Sequence, residues 1–242
     1  ESREKKEMTD MPKHRRQWRS QLTRAEEGRG WVFFALYVLA FPFLMGLIQR
    51  SFGGELPVAE ASVIYYLLSV TLVFLVFWSF LKNGFYLLLD WLPENLFAFG
   101  TGLVGAGALH FLVMRLPYPV ENPNVYNYLE QYAMSPAATV VIVVVLMPIV
   151  EEALFRGLLF GAVRRYSRAL AYGLSTLLFA VYCVWQFVFT YNGMDLRYLL
   201  LFAQYVPMSL ALCWSYDNGG SVWTPVALHM VLNAAALVHA IR

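Results

Sequence analysis

The sequence predicts an all-α polytopic membrane protein, a bundle of about seven transmembrane helices with one interfacial segment. Three observations carry this. Of 242 residues, 59% are hydrophobic and 14% charged, where ordinary soluble domains run at about 45–50% and about 25%. The mean hydropathy of +0.53 excludes a disordered chain, which needs low hydrophobicity and high charge. Seven apolar runs come close to, or exceed, the ~20 residues that a helix needs to cross hydrocarbon.

These runs cover residues 31–48, 62–81, 96–116, 137–163, 169–189, 196–215 and 222–241. Between the second and third, residues 84–93 are too few to span, and their aromatic and aliphatic content suits the membrane interface. The first run is too long for the apolar part of a signal peptide, and a hydrophilic tail precedes it. One membrane domain (31–242) behind a basic tail (1–30) is the economical division.

The net charge is only +2, so no nucleic-acid partner is expected, and the placement of Lys and Arg matters more than their sum. Nine lie before Trp31. With that tail inside, cytoplasmic flanks carry thirteen Lys and Arg, among them Lys82, Arg164, Arg165 and Arg168, against four outside. Positive charge is retained on the cytoplasmic side, so the N-terminus is expected there. Residues 117–136 have no Lys or Arg and read as a capped external loop. Cys183 and Cys213 lie in apolar runs without CxxC spacing, which suggests neither a disulfide framework nor a four-ligand zinc site.

A charged group inside a span costs at least about 2.5–3.5 kcal/mol and needs a partner or a function. The fourth run holds Glu151, Glu152 and Arg156, the seventh His229 and Asn233, and the third His110. Glu152 and Arg156, four apart on a helix, share a face and can neutralise each other. Glu151 is about 100° round the helix and has no evident local partner. That leaves it free to act as a general base or to pair with another helix. His229 and Asn233 are also four apart and project to one side, where both can hold an oxyanion or bond to neighbouring helices.

Glu151 is thirteen residues from Arg164, and His229 twelve from Asp217, which is about 20 and about 18 Å along a helix. Unrelated polar residues would have no cause to coincide in depth. A shared polar cavity is the better account.

These residues resemble the intramembrane CAAX-processing and bacteriocin-processing proteases (CPBP, or Abi, family). The EExxxR motif stands as Glu151, Glu152 and Arg156, and HxxxN as His229 and Asn233. The intervening FxxxH position reads Phe179-Ala180-Val181-Tyr182-Cys183, with cysteine for histidine. The resemblance covers residues 137–241. It implies that Glu151 activates water, that His229 and Asn233 stabilise the oxyanion of a cleaved peptide bond, and that Glu152 and Arg156 support them. It further implies a bacterial plasma membrane, with the lipid bilayer and a peptide or membrane-protein substrate as partners.

Cys183 lies at the same depth and has three readings: a small hydrophobe in a weakened site, a nucleophile paired with His229, or one of three zinc ligands with Glu151 and His229. No cofactor is required in the first. His110 reaches a similar depth and is a candidate replacement for the missing imidazole. Gly100-Thr101-Gly102-Leu103-Val104-Gly105 matches GxGxxG by letter, but it lies in a span with no preceding strand and reads as a helix-packing face. The expected function is an intramembrane endopeptidase. The alternative is a catalytically silent member acting as a scaffold or regulator of a partner membrane protein. A proton-coupled transporter would call for an inverted repeat, which the sequence does not show.

Overall fold

The structure, a computed structural model, describes residues 21–40, 58–190 and 193–241. Most of the basic tail and residues 41–48 of the first predicted span lie outside the described residues. Helix α1 (Arg24–Ala35) begins at a reciprocal capping box. Thr23 Oγ1 accepts the Glu26 N–H at 3.2 Å, and the Glu26 carboxylate accepts the Thr23 N–H at 2.9 Å, so two otherwise orphaned donors are satisfied. The helix continues as a π turn, Leu36–Ala40.

Helices α2 (Val58–Val76) and α3 (Trp78–Asp90) meet at an 84° bend. This corrects one expectation, since the second predicted span is broken, and the segment 84–93, expected at the interface, is helical and belongs to α3 and the start of α4 (Leu92–Val113). Phe77 leaves helical geometry at φ −115°, ψ 27°. A helix start at the break exposes N–H groups, and Glu26 of α1 meets one of them by accepting the Phe80 N–H at 3.0 Å. Hydropathy carries no trace of a carboxylate that caps from another helix.

The loop expected at 117–136 contains α5 (Pro123–Met134), capped by Asn122, whose side chain accepts the Asn124 N–H at 3.1 Å. Next come α6 (Pro136–Arg164) and α7 (Arg168–Tyr182), the latter capped by Ser167. Helix α7 has 15 residues, so the fifth predicted span is not one continuous helix. Beyond it are the short α8 (Trp185–Val188) and a two-stranded antiparallel pair, β1 (Phe189–Thr190) and β2 (Gly193–Met194). Asp195 accepts the Arg197 N–H at 3.0 Å and so opens α9 (Leu196–Gly219). The Arg197 guanidinium holds the Asp195 carboxyl below the usual carboxylate range. Gly220, at φ 84°, takes the left-handed turn that ends α9, and α10 (Trp223–Ala240) follows.

Among the described residues, α4, α6, α9 and α10 are long and apolar enough to cross a membrane, and the bent α2–α3 pair makes a fifth candidate. The all-α membrane fold stands, with four or five such spans among the described residues against about seven expected, the first of which runs beyond them.

Helix α6 is the central element. Every residue from Val150 to Ala162 is buried, and the helix is not regular. Residues Val141–Leu146 and Ala153–Phe160 form π turns, which place Glu151 and Glu152 between two widened segments. Pro148 accounts for the first, since it has no N–H and its ring crowds the preceding turn. At Gly157 a Cβ would lie 2.6 Å from the Phe80 ring. Only glycine admits that contact, which seats α3 against α6.

The predicted inner flanks meet at one end of the bundle. Asp217 joins Arg164 and Arg168, each at 2.7 Å, and Arg165 joins Glu27 at 2.8 Å. At the same end Ser221 donates to the Gly84 carbonyl at 2.7 Å, and Trp223 Nε1 to that of Leu81 at 2.9 Å. Helix α5 joins the far ends of α4 and α6, and so lies at the opposite end.

Candidate active site

Helices α6 and α10 bring the four central groups together. Glu151, Glu152, Arg156 and His229 are all buried. Arg156 Nη1 donates to Glu152 Oε1 at 3.0 Å, which is the expected i,i+4 pair. The same oxygen lies 2.7 Å from His229 Nδ1, a contact that spacing within one helix could not reveal. Arg156 Nη2 donates to Ser209 Oγ at 2.8 Å and to the Ser209 carbonyl at 3.2 Å, and its guanidinium lies 4.5 Å over the Phe179 ring. The phenylalanine of the middle motif thus packs the arginine of the first, and it stands edge-on to His229 with ring centroids 6.0 Å apart.

With Nδ1 taken by Glu152, the other imidazole nitrogen turns to the second acid: His229 Nε2 is 3.8 Å from Glu151 Oε2. That is too long for a direct hydrogen bond. It suits two groups holding one oxygen atom between them, each at about 2.8 Å. Both line a cavity of about 610 Å³, together with Cys183 and Asn233. The rest of the wall includes Tyr66, Tyr128, Tyr182 and Tyr205, and Asn124 and Gln131 from α5. The mouth is therefore at the end away from Asp217. Asn124 Nδ2 donates to the Cys183 carbonyl at 3.0 Å and to Tyr205 Oη at 2.6 Å, which ties α5 across the cavity.

The remaining candidates fall differently. His110 is exposed on α4 and is not part of the cavity wall, which corrects its proposed place beside Glu151. Asn95, Ala98, Gly102 and Ala106 form the buried stripe of α4, and His110, the next position along it, already lies beyond the packed region. The packing reading of Gly102 holds, since a Cβ there would meet Leu228 at 2.9 Å. Asn233 Nδ2 donates to the Val143 carbonyl at 2.8 Å, a backbone partner that the sequence did not suggest. Among the described residues no three His, Cys, Asp or Glu side chains are gathered closely enough to hold a metal ion. Glu151, Cys183 and His229 share a wall, but they do not fit a zinc site.

Fold and site together define an integral membrane protein with two acids, a guanidinium and an imidazole clustered in its interior, of which Glu151 and His229 reach the wall of a cavity. Residues 133–235 match the family model described as Type II CAAX prenyl endopeptidase Rce1-like. That stretch carries Glu151, Glu152, Arg156, Cys183, His229 and Asn233, and the match supports a CAAX-type intramembrane protease. No curated protein and no solved structure gives a match.

Proposed function

We propose that this protein is an intramembrane endopeptidase in which Glu151 activates water against a peptide carbonyl. The approach of Glu151 Oε2 and His229 Nε2 to 3.8 Å on the wall of an open cavity carries the reading. Glu151 takes a proton from a water held between the two groups, and the water oxygen attacks the carbonyl carbon. The carbonyl electron pair moves onto its oxygen, which His229 Nε2–H stabilises. Collapse of this intermediate breaks the C–N bond as Glu151 returns the proton to the departing amine. In the intermediate His229 carries a proton on each ring nitrogen, Nδ1–H toward Glu152 and Nε2–H toward the oxyanion. Glu152 orients His229 through Nδ1, and Arg156 holds Glu152.

The concentration of Lys and Arg at the opposite end supports a cytoplasmic tail with the mouth by α5 on the other side, from which polypeptide substrates enter. A silent scaffold has no need of a cavity that reaches the acid–imidazole pair. Reconstitution into liposomes with a peptide library tests the assignment. The parent cleaves, whereas Glu151→Gln and His229→Ala do not. Cleavage that survives Glu151→Gln would refute it.

A further inference from the structure

We infer that Asn233 acts as a positioning residue: its side chain supplies the hydrogen bond that Pro148 withholds from the helix bearing the two acids. In the π turn before Pro148 each N–H reaches back five residues, and the Met147 N–H accordingly donates to the Ile142 carbonyl. The next bond in that series would run from residue 148 to the carbonyl of Val143. Proline has no N–H to give. The Val143 carbonyl is instead met from α10, where Asn233 Nδ2 donates to it at 2.8 Å. Val143 is buried, with 2% of its surface exposed, so an unmet carbonyl there would be costly.

The arrangement has a functional consequence. Glu151 and Glu152 follow Pro148 by three and four residues, so the path of the chain through this turn sets their direction. Asn233 lies four residues beyond His229 on α10. One helix therefore provides both the imidazole that faces the acids and the amide that fixes their backbone. The assignment rests on the endopeptidase reading for its effect on turnover, but the mended helix stands without it.

A cycle of Asn233→Ala, Pro148→Ala and the double variant tests this in the full-length protein. Thermal unfolding in detergent is read alongside kcat and KM for peptide cleavage. Asn233→Ala is expected to lower Tm by several degrees and kcat by about 10- to 100-fold, with little change in KM. Restoring an N–H with Pro148→Ala is expected to recover most of both losses. If Asn233→Ala alone fails to fold while the double variant folds, the assignment is supported. Equal losses in Tm with proline or alanine at 148 overturn it. So does a kcat deficit that Pro148→Ala leaves in place, because an amide acting on the oxyanion would not be replaced by a backbone N–H. A parent that cleaves nothing would sink the endopeptidase reading alone, and the unfolding cycle would still decide this one.

Discussion

His229 Nδ1 lies 2.7 Å from Glu152 Oε1, and that oxygen also accepts from Arg156 at 3.0 Å. One carboxylate oxygen therefore orients the imidazole and neutralises the guanidinium. Removing it strands a buried cation, which typically costs about 3–5 kcal/mol. Glu152→Ala should lower stability by that order, and Glu152→Leu combined with Arg156→Met should cost less than Glu152→Ala alone. Denaturant unfolding in detergent measures both, and equal losses would remove the pair from the stability account.

Gly157 gives a packing test. A methyl there would sit 2.6 Å from the Phe80 ring, and overpacking of a tight contact costs about 1–3 kcal/mol. Gly157→Ala is expected to destabilise by this amount, and Phe80→Leu in the same chain should relieve it.

Glu26 caps a helix that is not its own. Glu26→Ala removes this cap and one half of the α1 capping box, so it should cost about 1–2 kcal/mol, and it should speed hydrogen exchange at the Phe80 amide far more than at amides within α10. Uniform exchange rates before and after the change would show that the bend is held by other contacts.

Cys183 shares the cavity wall with Glu151 and His229, where a thiol is a weak hydrogen-bond donor. Cys183→His should raise kcat by about 100-fold or more, the range in which a placed acid–base group acts. His110→Ala should leave cleavage as it is, because that side chain is exposed on α4, away from the cavity. An unchanged kcat in the first, or a collapse in the second, would reverse the assignments.

The cluster of Glu151, Glu152, Arg156 and His229 was legible because charge in a span is costly, and because 3.6 residues per turn fixes which neighbours can meet. The contact of His229 with Glu152 was not, since it joins residues 77 apart in sequence. The bend at Phe77 escaped hydropathy because both of its arms are apolar. His110 was misplaced by an argument from depth alone: two residues at one level can still lie on different sides of a bundle. Pro148 was visible as a letter, but its widened turn and its bond to Asn233 depend on what stands opposite.

The amide link from Asn233 to the Val143 backbone also decides where the chamber can open. Prising α10 from α6 would strip a buried carbonyl of its donor and pull the imidazole off its acid, so these two helices form a fixed back wall. Helix α5 is a different kind of boundary. None of its residues is buried, and side-chain amides at its N-terminal end tether it across the entrance. On the endopeptidase reading a polypeptide enters there, and the polar latch is built from groups that water can replace.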